Sequence, residues 1–138
     1  MSEGPDAVDT ALRALRYRDR TAAELAARLE QRGVGEAERH EALETLERIG
    51  YVDDARFART RARQLAERSS GDALIRDDLE QRGLAADDIE QALGALEPEG
   101  ERAARVAERR GRNVKTARYL ASRGFGEEAL DALVAAED

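Results

Sequence analysis

Apolar residues recur at helical spacing along most of the chain. Val8, Ala11, Leu12 and Leu15 stand at i, i+3, i+4 and i+7, the pattern of an amphipathic helix with one buried stripe. Thr21 and Glu24 make a capping-box signature ahead of a second helix, whose Leu25 and Leu29 share a face and which stops at Gly33. A third helix is predicted from about Glu36, with Ala37, Leu43 and Leu46 on its inner side and Gly50 closing it. A fourth runs from Asp54 to about Arg68 over an inner stripe of Ala58, Ala62, Leu65 and Ala66, and Ser69-Ser70-Gly71 breaks it. The fifth covers Asp72 to Arg82, and the sixth carries Ile89, Leu93 and Leu96 until Pro98 and Gly100 stop it. Glu101 opens the seventh, and a short last helix is predicted from Glu127 to about Ala136. Long runs of Val, Ile and Thr are missing, so no strand is expected.

These helices repeat. Leu29-Glu30-Gln31-Arg32-Gly33-Val34 returns fifty residues on as Leu79-Glu80-Gln81-Arg82-Gly83-Leu84, and Leu120-Ala121-Ser122-Arg123-Gly124-Phe125 is a third copy of the Leu-x-x-Arg-Gly-apolar signal. Gly33, Gly83 and Gly124 read as helix C-caps, each with an arginine near the negative end of the helix dipole. The expected organisation is a tail at 1–5 and three-helix repeats at 6–50, 51–97 and 98–138.

The stretch Gly50-Tyr51-Val52-Asp53-Asp54 with Phe57 closes the first repeat and opens the second. Gly50 suits the left-handed conformation that ends a helix. Asp53 is placed to cap the next helix, and Asp54 puts negative charge where the dipole favours it. With Asp53 as N-cap, Val52 and Phe57 occupy the positions of a hydrophobic staple.

Composition narrows the architecture. Of 57 apolar residues 27 are Ala, while Leu, Ile, Val and Phe supply only 26 of 138. So lean a chain folds through short helices packed closely on Ala, each burying a narrow stripe, rather than through one broad core. The net charge of -7 removes any bulk attraction to nucleic acid or to an acidic membrane, so such a contact must be local. Absence of Cys excludes disulfides and thiolate metal sites and fits a reducing compartment. Met1 to Asp9 carries Glu3, Asp6 and Asp9 with no apolar run, unlike a signal peptide, and no segment approaches the roughly 20 apolar residues of a membrane span. A cytoplasmic protein without a membrane partner is expected.

Charge sorts by helix. The first helices of the repeats are basic, the third acidic, with Glu36, Glu38, Glu41, Glu44 and Glu47 in one and Asp87, Asp88 and Glu90 in the next. Arg recurs at i, i+3, i+7 as Arg13, Arg16, Arg20, as Arg56, Arg59, Arg63 and as Arg102, Arg105, Arg109, a spacing that lines one helix face. Two readings stand. The guanidinium forks face phosphates or carboxylates of a partner, or they are solvated faces paired with neighbouring acidic helices. Asp53 and Asp54 lack the further ligands a metal shell needs, and His40 has no nucleophile signature around it. Tyr17, Tyr51, Tyr119, Phe57 and Phe125 are too scattered for a stacking platform, and neither phosphate-loop signature occurs. No catalytic residues, metal site or cofactor is expected, hence no enzyme.

Taken together, the motifs resemble the RecX family of regulators of the RecA recombinase. Ala11-Leu12-x-x-Leu15, Arg18-x-Arg20-Thr21-x-x-Glu24-Leu25, Leu29-x-x-Arg32-Gly33 and Gly50-Tyr51-Val52-Asp53-Asp54-x-x-Phe57-Ala58 match its first repeat and junction in order and spacing. Gly71, Leu79-x-x-Arg82-Gly83 and Tyr119-Leu120-x-x-Arg123-Gly124-Phe125 match its later repeats. The resemblance implies an all-α fold of three tandem three-helix repeats in an elongated, curved, right-angle-type helical array. It also implies a monomer lying in the groove of the RecA and single-stranded DNA filament, lowering its ATPase, strand-exchange and coprotease activities in recombination and repair. On that footing Arg16, Arg20, Arg56, Arg59, Arg63, Arg102, Arg105 and Arg109 are the expected filament-facing residues. A stand-alone single-stranded DNA binder and a helical interaction scaffold are the alternative readings.

Overall fold

In the computed structural model, which describes residues 6–135, the chain forms nine α-helices and no strand among those residues. They are α1 (Ala7–Leu15), α2 (Ala22–Gln31), α3 (Glu36–Arg48), α4 (Asp54–Glu67), α5 (Asp72–Gln81), α6 (Ala86–Gly94), α7 (Glu99–Arg110), α8 (Val114–Ser122) and α9 (Glu127–Ala135). The extensive helix contacts join α1–α3, α4–α6 and α7–α9, three groups that each enclose a small core. In every group the first helix contributes Ala and the second contributes long aliphatics. Ala11 and Ala14 meet Leu25 and Leu29, Ala58 and Ala62 meet Ile75 and Leu79, and Ala103 and Ala107 meet Leu120. An Ala-faced helix lets its neighbours approach closely, so a few fully buried Leu or Ile side chains, each worth about 1.5–3 kcal/mol, suffice for each group. The tail at 1–5 and the end of the third repeat, 136–138, lie outside the described residues.

Helix ends follow one plan. Arg32, Arg82 and Arg123 are the C-cap residues, and the glycine after each takes positive φ. The residue beyond donates its N–H back to the Leu carbonyl, as in Val34 to Leu29 (3.0 Å), Leu84 to Leu79 (3.3 Å) and Phe125 to Leu120 (3.1 Å), the Schellman arrangement. The chain leaves α4 through the same turn with Ser69 in place of glycine, at φ 64.

Several local expectations need correction. Ala37 is exposed, whereas Leu46 is buried and Leu43 packs against the first core as expected, with Ala42 the further buried residue of α3. Leu96 lies beyond the end of α6. Pro98 does not stop that helix but stands at the start of the next, where the missing N–H is not needed, and Gly100 lies inside α7. Val52 is buried in the first core and Phe57 packs against the second, so the two positions serve neighbouring repeats. Asp53 does accept from the Arg56 N–H at 3.0 Å as the cap of α4. Asp54 does more than complement a dipole. Its Oδ1 accepts the Ala22 N–H at 2.9 Å, tying the start of α4 to the start of α2.

That tie recurs one repeat later, where Glu99, first in α7, accepts the Asp72 N–H of α5 at 2.6 Å. At both junctions the Leu-x-x-Arg-Gly turn of one repeat sits on the start of the second helix of the preceding one. The carbonyl of Arg82 accepts from the Thr21 hydroxyl at 2.8 Å, and the carbonyl of Arg123 accepts from the Gly71 N–H at 2.7 Å. A Cβ on Gly71 would lie 2.4 Å from the Gly124 backbone, so this contact demands glycine.

Candidate functional site

Four arginines are spent inside the molecule. Arg61 donates twice to Asp78, Nε to Oδ1 and Nη2 to Oδ2, both at 3.0 Å. Arg82 bridges the same carboxylate at 3.1 Å and Glu24 of the first repeat at 3.3 Å, lying over the Phe57 ring. These bonds, that from Arg61 foremost, hold the Asp78 carboxyl below the ordinary aspartate range against the opposing effect of burial. Arg123 donates to the Arg68 carbonyl at 3.0 Å and to the Ser70 hydroxyl at 3.2 Å.

Arg102 is the fourth and corrects the expected stripe on α7. Only 9% of it is exposed. Its Nε donates to the Glu97 carbonyl and its Nη1 to the Ser70 carbonyl, both at 2.9 Å, while Nη2 pairs with the Asp72 carboxylate and the guanidinium stands over the Phe125 ring. It is a strut between the second and third repeats, because α7 turns this position inward beside Ala103 and Val106. The stripe on α1 also breaks, since that helix ends at Leu15. Arg16 is its C-cap residue and Arg20 lies past the end, with Nε donating to the Ala14 carbonyl at 3.2 Å. Burial and the charges of Arg18 and Arg28 push the Arg20 guanidinium down from its ordinary value.

The remaining expected residues are distributed over three surfaces. Arg63, Arg105 and Arg109 come together around a cleft of about 410 Å³ between α4, the α6–α7 link and α7, and the buried Arg102 reaches its wall beside Ser69. Ala66, Ala95, Leu96 and Val106 give it apolar walls, and Glu67 and Glu97 also line it. Arg105 donates its Nε to Glu97 at 2.9 Å. Arg20 and Arg56 line a smaller notch beside the first junction, with Asp19, Asp53, Tyr51 and Phe57. Arg59 is half-buried on α4 between Arg56 and Arg63. Arg16 lines a hollow of about 250 Å³ on the first repeat together with Arg13, Arg28, Arg32, Thr10, Ala14 and Tyr17.

Arg28 and Arg32 fall outside the arginine stripes read from the sequence, and Tyr17, one of the scattered aromatics, is 82% exposed. Their signal is weak in one dimension: Arg28 and Arg32 are four apart on α2 and its C-cap, and only the folding of α1 against α2 brings them to Arg13 and Arg16. Among the described residues no carboxylate lines this hollow.

Three three-helix units with separate cores, tied by a recurring turn-on-helix contact, define a tandem helical repeat protein that presents its chemistry as arginine-lined surfaces. The chain belongs to the RecX family. Residues 7–46 match the first three-helix domain of RecX and residues 53–93 the second. The regulatory protein RecX of Halorhodospira halophila is 37% identical over 140 residues, covering 94% of this chain and 87% of its own, and that of Pseudomonas entomophila is 34% identical over 142 residues, covering 94% and 90%. A crystal structure of RecX from Lactobacillus salivarius superposes with a TM-score of 0.79 at 21% identity, covering 93% of this chain and 92% of that one, a likeness of fold. A crystal structure of a regulatory protein RecX gives 0.77 at 25% identity over 92% of this chain and 70% of that one. Among the described residues no helix is long and apolar enough to cross a membrane.

Proposed function

We propose that this chain is a non-enzymatic, monomeric cytoplasmic modulator that binds the RecA and single-stranded DNA filament and lowers its ATPase, strand-exchange and coprotease activities. Membership of a family of regulatory proteins supports the regulatory part. The observation that carries the binding part is the division of the arginines. Arg82, Arg102 and Arg123 hold the repeats together and Arg61 ties α4 to α5 within the second, whereas Arg16, Arg56, Arg63, Arg105 and Arg109 are exposed and gather at concave surfaces. Guanidinium forks held in hollows suit carboxylates and phosphates of a ribbed, charged partner.

The hollow on the first repeat favours a contact with the DNA of that filament. Four arginines and an exposed Tyr17, with no carboxylate among the described residues of the lining, offer phosphate forks beside an aromatic face for a base. The test is ATP hydrolysis by RecA on single-stranded DNA, titrated with this protein. Hydrolysis falls as the protein is added, and an unchanged rate at saturating protein removes the reading. Arg16→Glu with Arg32→Glu weakens filament binding and reduces its salt dependence.

A further inference from the structure

The cleft between α4 and α7 differs in chemistry from the hollow on the first repeat. Its floor is carbon from Ala66, Leu96 and Val106, its rim carries Arg63, Arg105 and Arg109, and Glu67 and Glu97 stand among those cations. We propose that this cleft takes a segment of a partner protein, one bulky apolar side chain flanked by carboxylates, and leaves phosphate contact to the first repeat. The inference rests on the filament reading and names the chemistry of one of its contacts, the one made to protein.

A phosphodiester strand has no anchoring apolar side chain to cover the floor. An apolar anchor covers it, and carboxylates beside that anchor answer the rim arginines, Glu97 being already engaged by Arg105. The anchor displaces water from Ala66, Leu96 and Val106, and its neighbouring carboxylates accept the forks of Arg63 and Arg109, both exposed. Arg105, held at 2.9 Å by Glu97, is a fixed cation on the same rim. The volume of about 410 Å³ lies within the range of roughly 300–1,000 Å³ typical of ligand pockets, ample for a side chain with its backbone. A buried anchor surrounded by contacts that exclude water is the usual organisation of a binding hot spot.

The test probes immobilised overlapping short peptides covering RecA with the full chain, in parallel with binding to the assembled filament and to oligo(dT). Ala95 lies exposed at the cleft outside the three cores, so Ala95→Trp fills the cleft without disturbing them. The peptides retained by the unaltered protein should be acidic with an apolar residue. Ala95→Trp and Arg109→Glu each lower their retention and filament affinity by about tenfold, while Arg32→Glu leaves peptide retention unchanged. Filament binding that persists undiminished in Ala95→Trp overturns the cleft assignment alone. So does an Arg109→Glu effect confined to oligo(dT), which would place phosphate in the cleft. Failure of the unaltered protein to bind the filament overturns the filament reading beneath it.

Discussion

The Thr21 hydroxyl joins two repeats: it accepts the Glu24 N–H at 3.1 Å as the cap of α2 and donates to the Arg82 carbonyl at 2.8 Å, 61 positions along the chain. Thr21 is fully buried, so both bonds are shielded from water. One side chain therefore starts a helix in the first repeat and terminates the turn of the second.

Thr21→Val keeps the shape and removes both bonds. The loss should be about 1–3 kcal/mol, the sum of a missing cap and an unanswered carbonyl, whereas Thr21→Ser retains most of the stability. Urea denaturation of the two variants measures this. Equal stability of Val and Ser would show that packing, not the hydroxyl, holds the junction.

Glycine substitutions separate close approach from helix propensity. Gly71→Ala places a Cβ against the Gly124 backbone and should cost about 1–3 kcal/mol, with amide exchange rising first in α7–α9. Gly100 lies inside α7, and a methyl group there would meet nothing within 4 Å, so Gly100→Ala should stabilise by about 0.5–1 kcal/mol. Thermal melts of both variants give the comparison.

Helix number, the Leu-x-x-Arg-Gly turns and the capping role of Asp53 were legible because each is a local event, set by spacing within one turn of helix. Two kinds of feature were not. Arg102 has the same spacing to Arg105 as Arg56 has to Arg59, yet it points inward, because the direction a helix face takes depends on the repeat packed beside it. Asp54 and Glu99 perform one task at two junctions, but an aspartate in one and a glutamate in the other conceal the equivalence. The hollow on the first repeat was hidden for a related reason, since its four arginines come from two helices and their ends.

Two aspartates give opposite pH dependences. Asp78 is held below the ordinary value of 3.8 by its bond from Arg61, with Arg82 adding, so the unfolded chain binds more protons in that interval. Its stabilisation is fully present above the unfolded value and lost as pH falls through the depressed one. Burial raises Asp54, although the Ala22 N–H opposes it, so stability falls as pH climbs from 3.8 to that raised value. Asp78→Asn should cost about 1.5–3 kcal/mol at neutral pH and remove the acid-side loss, while Asp54→Asn removes the decline on the other side. Denaturation curves across acid pH decide, and an acid-side loss unchanged in Asp78→Asn would place the titration elsewhere.

Arg102 and Arg109 lie seven positions apart on α7 and should respond in opposite ways. Arg102→Ala leaves the buried Ser70 carbonyl unanswered and the part-exposed Asp72 carboxylate unpaired at the second junction, which should cost about 1–3 kcal/mol, the range for a buried polar group left without its partner. Arg109 is exposed on the rim of the cleft, so Arg109→Ala should change stability by no more than about 0.5 kcal/mol. Filament binding, measured below the unfolding temperature of each variant, should weaken in Arg109→Ala without any change in helicity. In Arg102→Ala it should weaken only in step with unfolding. A folded Arg102→Ala protein that has lost binding would return Arg102 to the partner-facing set, and the strut would have to be found in Arg123 and Glu99 alone.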